Sequence, residues 1–192
     1  AIALANEQAV GWMNGRMEFG PRALGARSIL GDARSPSMQK ILNLKVKYRE
    51  SFRPFAPSVL REDVSDWFDF DGDSPYMLMV ADVKKDRQRE MTEEEAALFG
   101  IDKLNVPRSD IPAVTHVDGT GRLQSVYENH NPLFYRLIDA FFNTTGVPVV
   151  LNTSFNLKGE PIVCTPEDAL RTFFSCGLDA LIIGHFAVQK NK

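Results

Sequence analysis

Residues 132–156, which read PLFYRLIDAFFNTTGVPVVLNTSFN, contain a helix, a turn and a strand in immediate succession. The apolar side chains of 132–142 recur at helical spacing and predict a helix with a wide apolar face, which the turn at 144–146 ends. The apolar run at 147–152 predicts a core strand. This strand runs into 153–156, where three of the four residues are polar, and α/β proteins bind ligands beyond the ends of strands. The segment therefore predicts an α/β or α+β fold with a ligand site at the strand end.

Helical and strand patterns alternate along the rest of the chain. Further helices are predicted over 1–10, 36–45 and 165–176, the last two with proline near the start. Apolar runs predict strands at 10–13, at 76–83 as a buried strand, at 113–117, at 123–127 as a half-exposed strand, and at 180–183 as the final strand. The strands at 113–117 and 123–127 predict a β-hairpin, because a glycine-rich turn joins them. Two prolines keep 53–60 out of regular helix. No repeat is detectable, so the patterns together predict a mixed sheet flanked by helices.

Residues 84–110 differ from their surroundings in being dominated by charged and amide side chains. Thr92 and the three glutamates after it predict the start of a short helix. We interpret this stretch as a solvated excursion or insertion, in preference to a basic binding patch.

The composition limits the classes of function. A chain of 192 residues with 44% hydrophobic and 24% charged residues is the size of one large domain, here 1–192, with its own core. A net charge of −3 excludes a general attraction for nucleic acid or anionic membrane, so any phosphate site must be local. Two cysteines without a short CxxC spacing predict reduced core thiols, at Cys164 and Cys176, in a cytoplasmic protein. No apolar stretch reaches membrane-spanning length, and no metal-ligating cluster is evident. The start without methionine, inside a helical pattern, is expected of a piece cut from a longer protein.

The segment 15–32, GRMEFGPRALGARSILGD, predicts an anion-binding loop. Its glycines are costly in a helix but useful where the backbone leaves ordinary conformations. Its arginines, Arg16, Arg22 and Arg27, carry planar guanidinium groups that match phosphate or carboxylate. The alternative interpretation is an internal ion pair between an arginine and Glu18.

Two other polar stretches are candidates for the same site. Lys47 and Arg49 alternate, and in a strand they would point to the same side, with Arg53 just beyond them. A solvated basic stretch is an equally good interpretation. Ser154 and Asn156 also alternate and follow Asn152 at the end of the predicted core strand. They offer hydroxyl and amide groups to phosphate or carbonyl oxygens, the alternative being a polar turn.

His116 is the one histidine placed to act in a site, since it lies in a predicted strand beside Thr115 and Asp118. A buried core histidine remains the alternative. The other two histidines are predicted to be turn or surface residues.

Together these segments resemble the C-terminal domain of the O-carbamoyltransferase family, which includes nodulation-factor and antibiotic carbamoyltransferases. The stretches 15–32, 47–59, 112–126 and 148–163 carry the resemblance, which covers most of the chain. In that family the domain is similar to the YrdC fold, a twisted mixed sheet with helices and a concave basic surface. The YrdC signature pairs KxR with SxN, and Lys47-x-Arg49 and Ser154-x-Asn156 match it in order.

The resemblance implies that the site binds carbamoyl phosphate and ATP, with Mg²⁺ accompanying the nucleotide. It implies that phosphate is lost and that carbamate attacks the α-phosphate to give carbamoyl adenylate. Lys47, Arg49 and Arg53 would then be the catalytic cations that hold phosphates. The expected binding residues are Ser154, Asn156, Asn152, His116 and the arginines of 15–32, which line the cleft or the interface to another domain. That other domain, N-terminal and actin-like, holds a metal ion in the family and transfers the carbamoyl group to a hydroxyl; these 192 residues do not contain it.

Three alternatives remain open. The first is a nucleotide- or RNA-binding module without turnover, which the net charge disfavours for RNA. The second is a threonylcarbamoyl adenylate synthase, against which 15–32 and 53–57 speak. The third is a structural domain whose loop docks onto the other domain. The expected partners are carbamoyl phosphate, ATP and the N-terminal domain, with neither membrane nor nucleic acid.

Overall fold

A computed structural model describes residues 1–190 as a mixed α/β structure. The strands in that range are β1 (Val10–Met13), β2 (Arg27–Asp32), β3 (Ala56–Leu60), β4 (Val80–Asp82), β5 (Thr120–Arg122), β6 (Gln124–Val126), β7 (Val149–Ser154), β8 (Ala180–Ile183) and β9 (Phe186–Gln189). The α-helices are α1 (Ile2–Ala5), α2 (Met38–Lys45), α3 (Val64–Trp67), α4 (Glu93–Ala96), α5 (Gly100–Leu104), α6 (Pro132–Thr145) and α7 (Pro166–Phe174). Among residues 1–190 no helix is both long and apolar enough to cross a bilayer.

Seven strands form one mixed sheet in the order β6-β3-β7-β2-β1-β8-β9, and β4 and β5 form a separate pair. The pairs β1–β8 and β3–β6 are parallel, and the other four neighbouring pairs in this sheet are antiparallel. In the centre, Leu30 of β2 lies opposite Asn152 of β7, which in turn lies opposite Ala56 of β3. The predicted mixed sheet flanked by helices is therefore confirmed.

The central strands are buried on both faces, because helices cover each side of the sheet. Ile29 belongs to the core that α2 and α7 cover, whereas its neighbour Leu30 faces the core under α1 and α6. This alternation follows from the strand period of two, which sends successive side chains to opposite faces. Because both faces are apolar, the polar groups of a site are left for the strand ends and the connecting loops.

The two helices with clear start and stop signals form as predicted. Asn131 caps α6, Pro132 is its first residue, and Gly146 ends it in the left-handed conformation with φ +75°. Thr165 and Asp168 form a reciprocal capping box at the start of α7. The ends of both helices depend on contacts between residues a few positions apart, and such contacts can be predicted from the sequence.

Two predicted elements are much shorter than expected. The N-terminal helix spans only Ile2–Ala5, because the chain turns at Glu7 with φ +57°. The predicted buried strand at 76–83 is wrong: only Val80–Asp82 is a strand, and the Tyr76 and Val80 side chains are exposed. Met77 adopts φ +57°, which interrupts an extended run.

The predicted hairpin between 113–117 and 123–127 is also wrong. Residues Pro112–Val114 form a 3₁₀ turn, and β6 pairs in parallel with β3 and is buried, not half-exposed. The strand β3 was not predicted, because Pro57 lies inside it; the ladder to β6 begins only at the next residue, Ser58. The prediction that 180–183 is the last strand is wrong too, since β9 follows it.

The segment 84–110 is mostly exposed and contains two short helices, α4 and α5. Thr92 and Glu95 form a capping box at the start of α4, as the sequence predicted. The segment contributes little to the core, in keeping with a solvated excursion.

Candidate anion-binding site

The loop between β1 and β2 is organised by the carboxylate of Glu18. Glu18 Oε1 accepts backbone N–H groups from Leu24, Ala26 and Arg27, at 2.6, 2.8 and 3.3 Å. Among the described residues Glu18 makes no ion pair, so the predicted alternative of an arginine–Glu18 pair is not what the structure shows. The carboxylate acts instead as an anchor for the loop backbone.

The carbonyl groups of the same loop are held from the sheet. Asn152 Nδ2 donates to Ala23 O at 3.1 Å, Gln124 Nε2 to Leu24 O at 3.0 Å, and Trp12 Nε1 to Gly25 O at 2.8 Å. The N–H groups of 24–27 and the C=O groups of 23–26 are thus bonded inside the protein, which holds this part of the loop against the sheet.

The three arginines of the loop point to three different places. Arg27 is 5% exposed and donates to the carbonyls of Asn14, Gly15, Ala26 and Cys164. Arg16 is exposed and Arg22 is half-buried, and they line separate clefts. A ligand-binding role for each stays a prediction, but the structure does not bring the three together.

Lys47 and Arg49 lie in a turn after α2, so the prediction that they share one side of a strand is wrong. Tyr48 between them has φ +47°, which turns the chain sharply. The fully buried Asn43 of α2 holds this turn: its Oδ1 accepts from Arg49 Nε at 2.6 Å, and its Nδ2 donates to Arg53 O at 2.9 Å. One buried amide thereby holds both the Arg49 side chain and the Arg53 backbone.

The Lys47 ammonium group reaches the turn after β7, where the KxR and SxN segments meet. Its Nζ lies 2.5 Å from Ser154 O, 3.0 Å from Asn156 O and 2.9 Å from Asn156 Oδ1. Ser154 Oγ also donates to Asn156 Oδ1, at 2.7 Å. The structure therefore brings together two segments more than 100 residues apart that the sequence had singled out separately.

Burial, reinforced by the positive charge of Arg49, lowers the pKa of Lys47 to about 7. Only 7% of the residue is exposed, so water does little to stabilise its charge. Both the ammonium and the amine forms can donate to the surrounding oxygens, which keeps the lysine in place in either state.

The open space beside this cluster is the Lys47 cleft, of about 350 Å³. Its lining consists of Lys47, Arg49, Glu50, Arg53, Thr153, Ser154, Asn156, Leu157, Lys158 and Gly159. Four of these side chains are cationic and one is acidic. Arg53 lies at its exposed edge, in a loose 3.8 Å ion pair with Glu50. The cleft therefore has an excess of positive charge suited to a polyanion.

A second space, the arginine cleft of about 140 Å³, adjoins the first. It is lined by Pro21, Arg22, Ala23, Arg49, Pro54, Phe55, Ala56, Met77, Arg122, Asn152, Thr153 and Ser154. Arg49, Thr153 and Ser154 line both clefts, so the two form one continuous surface. Three guanidinium groups face this space, and no acidic residue is among its lining.

Arg122 is the site residue that sequence reasoning missed. Its Nε is buried without a hydrogen-bond partner among the described residues. Burial, and then the charge of Arg22, lower the pKa of Arg122; burial and Arg53 do the same for Arg49. A single arginine near a turn is common in proteins, so the local sequence does not mark Arg122 as a site residue. Its only sequence signal was its position in the stretch 112–126, which resembles the family. Uncompensated, partly buried cations of this kind favour an anionic ligand.

Asn152 lies in the wall of the arginine cleft and is 1% exposed. Its Nδ2 contacts Ala23 O, Ser58 Oγ and Gln124 Oε1, each within 3.1 Å. Its Oδ1 has no hydrogen-bond partner among the described residues. A buried acceptor without a partner costs about 1–3 kcal/mol, so a donor from a ligand would be stabilising there.

His116 and the cysteines lie apart from these clefts. His116 lines a different, small cavity of about 50 Å³ and shares a 3.0 Å hydrogen bond with Thr120. Burial lowers its pKa, which favours the neutral ring. Its prediction as a strand residue is wrong, and its binding role stays a prediction. Cys176 is buried, as expected of a core thiol, whereas Cys164 is exposed and does not fit that prediction.

Comparison with known proteins gives a consistent family assignment. An uncharacterised protein of Synechocystis sp. is 56% identical over 190 residues, covering 99% of this chain and 31% of that protein. Nodulation protein NolO of Bradyrhizobium diazoefficiens is 44% identical, covering 97% of this chain and 31% of NolO. The 3'-hydroxymethylcephem-O-carbamoyltransferase of Amycolatopsis lactamdurans is 35% identical, covering 98% of this chain and 32% of that enzyme.

The chain thus spans about a third of the length of the curated relatives that it matches. A family model described as "Carbamoyltransferase C-terminus" matches residues 1–190, which is nearly the whole chain. The protein therefore belongs to the carbamoyltransferase C-terminus family.

Proposed function

We propose that this chain binds carbamoyl phosphate in the arginine cleft and activates its carbamoyl group with ATP for O-carbamoyl transfer. The observation that carries the proposal is the combination of Arg22, Arg49 and Arg122 with the unpartnered amide oxygen of Asn152 in one small cleft. The carbamoyltransferase named among the relatives acts on a hydroxymethyl group, which favours a hydroxyl as the final acceptor here.

Carbamoyl phosphate is complementary both to the guanidinium groups of the arginine cleft and to the Asn152 amide oxygen in its wall. Its phosphate oxygens accept hydrogen bonds from guanidinium groups, which match them in pairs. Its carbamoyl NH₂ is a donor, and Asn152 Oδ1 is an acceptor that lacks one. Inorganic phosphate satisfies only the first requirement, and acetyl phosphate has a methyl group where the donor should be.

ATP is the proposed occupant of the neighbouring Lys47 cleft, where four cations are available to its phosphates. Water cleaves carbamoyl phosphate to carbamate and phosphate. A carbamate oxygen then bonds to the α-phosphorus of ATP while the bond from that phosphorus to pyrophosphate breaks. Carbamoyl adenylate forms and pyrophosphate leaves. Lys47, Arg49 and Arg53 would stabilise the negative charge on the transferring and leaving phosphates without acting as bases.

The clefts do not supply a protein cage for a metal ion. Glu50 is the single carboxylate among the residues that line them, and Mg²⁺ prefers several oxygen ligands. A magnesium ion that accompanies ATP would be held by the nucleotide's own phosphates.

The test is calorimetric binding of carbamoyl phosphate, acetyl phosphate and inorganic phosphate to the wild type, Arg122→Gln and Asn152→Ser. We expect Arg122→Gln to weaken all three ligands, since it removes a phosphate partner. Asn152→Ser should reduce the preference for carbamoyl over acetyl phosphate by about fivefold, the equivalent of one hydrogen bond.

A change in this preference cannot come from general damage to the site, because both ligands carry the same phosphate. Carbamoyl phosphate that binds the wild type no better than phosphate does would refute the proposal. The activation step is tested separately, by carbamoyl phosphate-dependent exchange of pyrophosphate into ATP. There Lys47→Ala and Arg49→Ala should each lose about 2–4 kcal/mol of transition-state stabilisation.

A further inference from the structure

Asn43 is a fully buried polar residue whose side-chain hydrogen bonds all lead to the turn that carries Arg49 and Arg53. It lies in the last turn of α2 and has no exposed surface. Its Nδ2 donates to Ser51 O and Arg53 O, each at 2.9 Å, and its Oδ1 accepts from Arg49 Nε at 2.6 Å. Because both N–H groups and the oxygen of this amide are bonded, it is held in one orientation.

The guanidinium group of Arg49 is held at one edge and on one face. Its Nε donates to Asn43, and the backbone N–H of Arg49 also donates to Asn43 O, at 3.0 Å. Its central carbon lies 4.8 Å from the centre of the Phe55 ring, which is only 4% exposed. The group is therefore stacked on an aromatic side chain that cannot move away. Contacts of this kind restrict the arginine before any ligand binds, which lowers the entropic cost of binding.

The part of Arg49 that remains available is the end that carries its two terminal nitrogens. Among residues 1–190 neither Nη1 nor Nη2 of Arg49 has a hydrogen-bond or ion-pair partner. Arg49 lines both the Lys47 cleft and the arginine cleft. Arg27 is the contrasting case, because its Nε, Nη1 and Nη2 all donate to backbone carbonyls.

The hydrogen bond to Asn43 selects how Arg49 can bind an oxyanion. A free guanidinium group has five N–H donors and can offer phosphate its end or the side formed by Nε and one terminal nitrogen. In this protein the Nε–H of Arg49 is already bonded to Asn43, so only the end is left. Two parallel N–H groups at that end match two oxygens of a phosphate.

A second amide on α2 supports the same turn without contacting Arg49. Gln39 lies one helical turn before Asn43, and its Nε2 donates to Phe52 O and Arg53 O, both at 3.1 Å. Both amides therefore hold the backbone of the turn, but only Asn43 also bonds a guanidinium group. This difference separates general support of the turn from the orientation of Arg49.

We infer that Asn43 is a positioning residue of the anion site, which fixes Arg49 so that its two terminal nitrogens contact the phosphate group of the ligand. Asn43 acts through Arg49, since it does not line either cleft itself. The inference rests on the proposed function for the identity of the ligand, carbamoyl phosphate. The same geometry serves inorganic phosphate.

The first experiment measures the affinities of inorganic phosphate and carbamoyl phosphate by calorimetry for the wild type, Asn43→Ala, Arg49→Met and the double variant. Arg49→Met should weaken both ligands about tenfold, because it removes the guanidinium group and keeps an unbranched side chain. Asn43→Ala should weaken both about fivefold. In the double variant, the loss of Asn43 should add less than about twofold, because the group through which it acts is gone.

Gln39→Ala is the matched control, since it removes an amide that also donates to Arg53 O. It should leave both affinities within about twofold of the wild type. An equal loss in Gln39→Ala and Asn43→Ala would overturn the inference, because support of the turn would then explain the effect. Fully additive losses for Asn43→Ala and Arg49→Met would also overturn it, as would phosphate affinities that Arg49→Met leaves unchanged.

The second experiment observes the wild type, by NMR of protein labelled with ¹⁵N in arginine, with Arg49→Met used to assign the signal. The Nε–H of Arg49 should exchange with water at least about tenfold more slowly than that of Arg136, which is exposed. Added phosphate should shift the terminal Nη signals of Arg49 and leave its Nε–H signal in place. Rapid exchange of this Nε–H, or a large shift of it with phosphate, would overturn the inference even if Asn43→Ala does not fold.

The proposed function and the positioning of Arg49 fail in different ways. If phosphate binding shows the coupling between Asn43 and Arg49 but carbamoyl phosphate binds no better than phosphate, the positioning stands and the proposed function is wrong. If carbamoyl phosphate is preferred and Asn43→Ala leaves its affinity unchanged, the reverse holds.

Discussion

Lys47 is the side chain whose burial has the clearest energetic consequence. Its pKa in the folded protein is lowered to about 7, below the value of about 10.4 that a lysine has in an unfolded chain. Between these two values the unfolded chain binds more protons than the folded one. The contribution of Lys47 to stability must therefore increase as the pH rises from about 7 to about 10.

We predict that the difference in unfolding free energy between the wild type and Lys47→Met increases across this pH range. Urea unfolding at several pH values measures it. Lys158→Met, which removes an exposed lysine of the same cleft, is the control variant. If the unfolding free energies of the wild type and Lys47→Met change with pH in parallel, the lowered pKa of Lys47 is wrong.

At the scale of the element, the β1–β2 loop depends on Gly25 for its packing. Gly25 has φ +103°, and an added Cβ would lie 2.3 Å from the ring of Phe134 in α6. Gly15, in the same loop, also has positive φ (+58°), but an added Cβ there would meet open space. The two glycines thus separate the cost of the backbone conformation from the cost of crowding.

We predict that Gly15→Ala loses about 1 kcal/mol of stability and Gly25→Ala at least about 2 kcal/mol more. Chemical unfolding of both variants measures the comparison. Gly25→Ala should also weaken carbamoyl phosphate binding, because the displaced loop carries Arg22. Equal destabilisation by the two substitutions would show that the contact with Phe134 does not limit the loop.

At the scale of the whole molecule, the arginine cleft joins parts of the chain that are far apart in sequence. Arg22 comes from the β1–β2 loop, Arg49 from the turn after α2, and Arg122 from β5. The repulsion between Arg22 and Arg122 opposes folding when no anion is bound, and an anion that bridges the arginines must stabilise the fold.

We predict that carbamoyl phosphate at 100 times its dissociation constant adds about 2.7 kcal/mol to the unfolding free energy of the wild type. Arg122→Gln should lose this stabilisation. Without ligand and at low salt, it should be at least as stable as the wild type, because one repelling charge is gone. If Arg122→Gln instead destabilises the ligand-free protein at low and high salt alike, Arg122 has a structural role.

The candidate site contains some residues that local sequence patterns predict and others that only the structure reveals. Lys47 and Ser154 belong to short polar patterns next to apolar elements, and those patterns are visible without a structure. Arg122 is a single arginine whose importance comes from the nearness of Arg22 and Arg49, and no local pattern records that. The sequence suggested Glu18 only as the partner of an internal ion pair, because its function in holding three backbone N–H groups depends on how the loop closes.

The sequence by itself determined the helix–turn–strand unit of α6 and β7, the capped start of α7 and the mixed class of the fold. These depend on apolar period, caps and turn residues, which act between neighbours within about four positions. Only the tertiary structure decided that the segment around Pro57 forms strand β3, that β6 pairs with β3 in parallel, and which arginines share a cleft. Those outcomes depend on contacts between distant segments, where burial and pairing partners outweigh local preference.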